Sequence, residues 1–234
     1  MANLQQRGGQ ILIRVGGNTQ ETAVLVPSTP DGLIIEKDLT GVTNPVCYPS
    51  PSNKWRSYSL SQTDTPPLVF TPDLIYMLGN VSSLVNVRWF LGIPFNDTSN
   101  LRLGIAEQGE QILGDYLIGL QVGNEPDLYA AHDHRPATYS PFDYFGEFGV
   151  LVAAMANDSN IQNQNLLIGP NIATGAWTPE MVWNTGFVQS YSPELAYLAV
   201  EQCVTSFFLL FLSCGYLTMF YIAILPTTVL HNLV

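Results

Sequence analysis

Charge is scarce in this sequence. Asp, Glu, Lys and Arg make up 12% of its 234 residues, against about 25% in an ordinary globular protein. Basic residues are the scarcest: 8 Lys plus Arg stand against 19 Asp plus Glu, a formal net charge of -11. A phosphate backbone is held by clustered cations, so nucleic acid is excluded as a partner. The three cysteines, Cys47, Cys203 and Cys214, give no disulfide framework. No G-x-G-x-x-G fingerprint and no P-loop lysine motif occur, which argues against a nucleotide site. There is no H-E-x-x-H and no cysteine pair. His132-Asp133-His134 is compact, but neighbouring side chains alternate in direction, so no metal and no cofactor are expected. The missing G-x-S-x-G elbow lowers an esterase reading. The N-terminus, MANLQQRGGQ, shows neither the basic leader nor the apolar core of a signal peptide.

Apolar residues are plentiful, at 47%, and aromatic residues make up 11%. Such a chain is ordered rather than disordered, and a single barrel domain of up to about 250 residues could hold it. The scarcity of charge is also uneven. No Lys or Arg follows Arg135, and no charged residue follows Glu201. The chain therefore divides into residues 1–201 and an uncharged tail, 202–234. Within that tail, Cys203–Leu225 is long enough to span a hydrocarbon core as a helix. It lacks a basic flank to orient it. The other reading of the tail is that it is foreign to the fold, as a mis-spliced or read-through reading frame would make it.

The first part alternates short apolar runs with helical patterns. ILIRVGG, from Ile11, reads as a buried strand running into a glycine turn. Residues 22–66 are rich in Pro, Ser, Thr, Gly and Asn and read as irregular, with a weak strand at Leu33–Glu36. Thr71 and Pro72 mark a helix start; Leu74, Ile75, Met77, Leu78 and Val81 give it a buried face. Further strands are expected at Asn86–Pro94, Tyr116–Gly123, Leu166–Gly169 and Leu195–Val200. Helices are expected at Asn100–Leu113, Pro141–Asn157 and over MVWNTGFVQSY. Alternating β and α elements with nearly continuous apolar strands indicate a parallel sheet covered by helices. Periodicity alone leaves open a partial (β/α)8 barrel and a doubly wound sheet.

Chemistry concentrates where strands end. In a (β/α)8 barrel the catalytic groups sit at the C-terminal strand ends. Gly123-Asn124-Glu125-Pro126-Asp127 follows such a strand. There Glu125 can move a proton, Asn124 can bind a hydroxyl, and Asp127 can orient the loop or tune Glu125. Pro126 disfavours a right-handed α conformation at Glu125. Arg14 lies inside an apolar strand, and a buried cation must be paired; the expected partner is a carboxylate on a neighbouring strand, the catalytic one first. Gly17 permits close approach, and Asn18 and Gln20 are expected to line a polar cleft. Asn96 and Asn171 mark two further strand ends. Tyr129, Tyr139, Trp89, Trp177 and Trp183 offer aromatic surface or core. Carboxylates and amides around an aromatic-lined cleft match sugar hydrolysis. The same residues also suit a surface turn and a structural arginine. Three N-x-S/T sequons, at Asn80, Asn96 and Asn157, are glycosylation acceptors and lean toward a secretory origin.

Together RVGGNTQE and LQVGNEPDLY resemble glycoside hydrolase family 79, the β-glucuronidase and heparanase-like enzymes, especially the fungal ones. WFLGIPFND and LLIGPNIA are similar to the adjoining strands, and the resemblance covers about Leu4–Glu201. It implies a (β/α)8 barrel followed by a β-sandwich, a secreted or extracellular protein, and a carbohydrate partner bearing glucuronide. It also implies that Asn124 and Glu125 carry the general acid/base at the end of strand four. By that numbering the chain holds strands two to six. The nucleophile, a glutamate at the end of strand seven, is expected beyond Glu201, so Glu201 is not assigned that role. The chain as written is then expected to be inactive. The alternatives are a carbohydrate-binding remnant without turnover and a partial barrel anchored in a membrane through residues 203–225.

Overall fold

The computed structural model describes residues 9–38 and 67–201, with positions 3 and 6 and the backbone of a short strand at Leu225–Pro226. In chain order the elements begin with β1 (Ile11–Val15), a 3-10 turn (Asn18–Thr22), β2 (Val24–Leu25), β3 (Ile35–Lys37), β4 (Leu68–Phe70) and α1 (Pro72–Val85). Then come β5 (Val87–Ile93), α2 (Gly104–Leu113), β6 (Leu117–Val122), α3 (Pro141–Asn157) and β7 (Leu167–Ile172). The series ends with α4 (Pro179–Trp183), α5 (Phe187–Tyr191), β8 (Leu195–Val200) and β9 (Leu225–Pro226). The main sheet has the order β1-β5-β6-β7-β8-β9. Its first five strands are parallel, and β9 lies antiparallel on β8.

Strand alternation decides between the two parallel architectures. From β5, Val87, Trp89, Leu91 and Ile93 point one way and pack with Ile75 and Leu78 of α1, Ile105 and Leu113 of α2, and Tyr144 and Phe148 of α3. The opposite face carries a small separate cluster of Phe90, Ile168 and Ala199, flanked by Ile118 and Tyr197. No helical residue belongs to it among those described. A doubly wound sheet would carry helices on both faces. Helices on one face only, with each parallel strand beside the next in sequence, make a partial (β/α)8-barrel-like fold.

Local sequence explains most boundaries. Ser140 caps α3 by accepting from the Asp143 amide, while Asp143 Oδ2 accepts from the Ser140 amide at 2.8 Å, and Pro141 takes the first position. This reciprocal box and the fixed proline φ set the start. α1 ends at Asn86, left-handed at φ 47°, whose amide donates to Ser82.

Several expectations shift. The helix expected from Asn100 starts at Gly104, behind a Leu103 that offers no side-chain cap. MVWNTGFVQSY breaks into α4 and α5, because Gly186 turns left-handed at φ 85° between them. Met77 is 45% exposed and leaves the inner face of α1. The weak strand expected at Leu33–Glu36 overlaps β3, whereas β2 and β4 were not expected; the three form a second sheet, order β2-β4-β3, and strands of two or three residues are too short to show a period. Trp89, Tyr129, Tyr139 and Trp177 are buried in the core, and Trp183 packs against it half-buried, so none of them is an open aromatic platform. Among the described residues no helix is long and apolar enough to cross a membrane. Residues 203–224 of the proposed span lie outside those described, and Leu225 belongs to β9.

Candidate functional site

Arg14, next to last in β1, reaches across the inner face. Its Nη1 pairs with Glu201 Oε1 at 2.8 Å. Its Nη2 donates to Asn124 Oδ1 at 2.6 Å and to Gln20 Oε1 at 3.2 Å. The ion pair is thus with the carboxylate after β8, which corrects the expectation of a pairing with Glu125. The physical reason is reach: Arg14 and Glu201 both follow the inward register of their strands, whereas Glu125 sits one residue beyond Asn124 in the loop.

The glycine turn after β1 folds back over the sheet. Gly17 takes φ 105°, open to glycine at little cost, and its amide donates to Gln20 Oε1 at 3.1 Å. Gln20 was expected to line a cleft but is 4% exposed. Its Nε2 donates to the Ile93 carbonyl at 3.2 Å. A Cβ on Gly92 would lie 2.2 Å from Gln20 Oε1, so that strand position must be glycine for the amide to lie there. Asn18 stays exposed, and its Oδ1 accepts from Asn124 Nδ2 at 2.8 Å.

Asn124 is the hub. Besides Arg14 and Asn18, its Nδ2 reaches Glu125 Oε2 at 3.3 Å, and its backbone amide donates to Glu21 Oε1. Glu125 is half-buried and left-handed, φ 54° and ψ 56°. Pro126 disfavours the right-handed helix there, and the chain takes the left-handed well instead of an extended one. A non-glycine residue held in that well costs about 1–3 kcal/mol and is typical of functional turns. Its amide donates to the Asn171 carbonyl at 3.1 Å. Burial, then the neighbouring Asp127, push the Glu125 carboxyl above the ordinary carboxylate range; Arg14, His132 and the Asn124 hydrogen bond oppose this. A carboxyl so tuned can hold a proton and give it up.

Asp127 and Asn171 form the outer support. Asp127 is buried and accepts from the amides of Ala173 and Gly175 at 2.8 Å and Ala176 at 3.2 Å. Asn171, also left-handed, donates to the carbonyls of Val122 at 3.0 Å and Ile168 at 2.9 Å. Its buried Oδ1 has no hydrogen-bond partner among the described residues. Asn96 stands apart. Arg102 donates to its Oδ1 and Arg135 to its carbonyl, and it shares no hydrogen bond with Arg14, Asn124 or Glu125 among the described residues. Asn80, on α1, and Asn157, at the end of α3, are exposed.

Sequence reasoning assigned no role to three buried groups. Glu21 accepts from the Phe95 amide at 3.0 Å, the Tyr129 hydroxyl at 2.7 Å and the Asn124 amide. Burial pushes its carboxyl up to about 7 in spite of those donors. Glu201 accepts from Gln121 as well as Arg14, and burial pushes it upward while Arg14 opposes. The signals were present: Glu21 closes RVGGNTQE, and Gln121 is a lone amide in an apolar run. Among the described residues no group of three or more His, Cys, Asp or Glu could hold a metal. A cleft of about 730 Å³ opens at the opposite, N-terminal ends of the strands, beside Arg88, Asp115, Ile118 and Tyr197, and holds none of these site residues.

No protein-family profile matches the sequence, and no curated protein matches it either. Among solved structures, the chain is similar to a 4-O-α-L-rhamnosyl-β-D-glucuronidase from Fusarium oxysporum 12S, solved as a complex with Rha-GlcA. The TM-score is 0.51 at 18% identity, over 85% of this chain and 38% of that one. The likeness is one of fold, and the chain spans little more than a third of that enzyme's length.

Proposed function

We propose that residues 1–201 are part of the catalytic barrel of a β-glucuronidase-type glycoside hydrolase of family 79, with Glu125 as general acid/base. The single observation that carries this reading is the setting of Glu125. It is a half-buried carboxyl of raised proton affinity at the C-terminal end of a barrel strand, hydrogen-bonded to Asn124. Arg14, Gly17, Asn18 and Gln20 order the Asn124 amide from one side, and Asp127 and Asn171 hold the loop from the other. Asn96 steadies the neighbouring strand end. The ligand is a glucuronide-bearing carbohydrate, in keeping with the fold shared with a glucuronidase. Asn80 and Asn157 are exposed sequons, and we assign them as glycan attachment points of a secreted protein, with Asn96 as a third.

A second reading, carbohydrate binding without turnover, is favoured by a specific observation. A retaining glycosidase needs a second carboxyl about 5–5.5 Å from the first. The carboxylates grouped around Glu125 are held within the fold: Glu21 by three donors, Asp127 by three amides, and Glu201 by Arg14 through Oε1, its buried Oε2 having no hydrogen-bond partner among the described residues. Calorimetry with glucuronic acid, beside a p-nitrophenyl β-D-glucuronide assay, separates the two. Binding with turnover that vanishes in Glu125→Gln supports the enzyme and overturns the expectation that this chain is inactive. Binding alone keeps that expectation and supports the second reading for this chain, and the absence of both binding and turnover overturns both readings.

A further inference from the structure

Arg14 carries a permanent charge to within one amide of Glu125. A guanidinium beside a carboxyl stabilises the ionised form and lowers its pKa. Glu125 nevertheless has a raised proton affinity: burial and Asp127 outweigh Arg14, the largest of the influences that oppose them. The geometry shows why. Arg14 directs Nη1 at Glu201 and Nη2 at the Asn124 and Gln20 oxygens. Asn124 then turns its NH2 toward Asn18 and Glu125. Glu201 is fully buried, and its Oε1 also accepts from Gln121.

We propose that Glu201 is a positioning residue. It holds Arg14 against the Asn124 side-chain oxygen, Oδ1, so that Glu125 meets a neutral amide instead of a guanidinium. The proposal rests on the reading of Glu125 as general acid/base for its purpose, but the arrangement can be tested without turnover. Glu125 is faced by Asp127, Arg14, His132 and Asn124; Glu201 is faced by Arg14, Gln121 and Glu125. None of the other groups would follow the removal of Glu201 as Arg14 would. With its counter-charge gone, the guanidinium would turn to the nearest remaining carboxylate.

The experiment is a carbon-13 NMR titration of the glutamate carboxyls in the full chain, with the Glu125 signal identified by its loss in Glu125→Gln. Glu201→Gln is expected to lower the Glu125 midpoint by about one unit or more, a tenfold loss of proton affinity. In an Arg14→Gln background the same change is expected to move it by less than half as much. An unmoved midpoint in Glu201→Gln overturns the proposal. So does an equal fall in both backgrounds, which would mean direct repulsion between the two carboxylates. If Glu201→Gln does not fold, Arg14→Gln alone decides. A shift under about half a unit supports a guanidinium already neutralised by Glu201, and any larger shift overturns it. Failure of the glucuronide assay leaves these midpoints untouched, so the two readings fall separately.

Discussion

On the helix-facing side of β5, Val87, Trp89, Leu91 and Ile93 are all 4% exposed or less and belong to one apolar cluster, where the Trp89 indole is the one side chain of the four that makes a hydrogen bond, to Ser82. On the other side the same strand presents Arg88, Phe90 and Gly92. There the sheet interior mixes a three-residue apolar cluster with Arg14, Gln121 and Glu201. The outer face is held by area and shape, which are non-directional and tolerate repacking. The inner face is held by paired charges and amides, where losing one member strands another in low dielectric. The first face makes the fold, and the second makes the site.

Substitutions can break this contrast. The largest effect is expected from Phe148→Ala on the outer side, where the ring meets Tyr144, Phe187 and Tyr191. A loss of about 4 kcal/mol in urea unfolding is expected, and it should be the same at pH 5 and pH 8. Arg14→Met leaves Glu201 buried without its counter-charge and should cost about 3–4 kcal/mol at neutral pH. This loss, unlike the first, should shrink as the pH falls and Glu201 takes up a proton. If both losses prove equally insensitive to pH, the two faces are not distinct in the way described.

Glu21 sharpens the same contrast through its titration. Its carboxyl is raised from 4.5 to about 7 in the fold. The protonated form is therefore the one the fold favours. Its stabilising contribution is complete below about pH 4.5 and is lost as the pH rises through about 7. Wild type should lose about 3 kcal/mol over that window, and the Glu21→Gln curve should be flatter by that amount. Equal slopes for the two proteins would show that Glu21 is not buried as described. The smallest effect belongs to Glu125→Gln. It is half-buried and bonded to a neutral amide, so stability should change by less than about 1 kcal/mol while any glucuronide turnover disappears.

What could be read from the sequence follows the same division. Each of the five parallel main-sheet strands was legible, because runs such as VRWFLGI and YLIGLQV are buried on both sides or nearly so; β9 was not, since Leu225 reads as the end of a long apolar run. The bounds of α3 were legible too, since Ser140 and Pro141 announce its start. The site's strand-end location was legible from GNEPD. Its wiring was not. Arg14 had to have a partner, but which one depends on contacts 187 positions apart in the chain, between β1 and the residue after β8. Glu21 looked like part of a polar turn, and nothing local shows that the turn folds under the loop carrying Tyr129. Met77 and Gly186 were missed because local periodicity does not show where a helix faces or where a turn interrupts it.

The three amides captured by Asp127 carry a consequence for anyone who would redesign this protein. The segment 173–176 after β7 has its shape written partly in a residue of the preceding loop. The two loops are therefore a single heritable module. A chimera that imports a foreign loop after β7 must import the carboxylate at 127 with it, or leave three backbone donors unanswered.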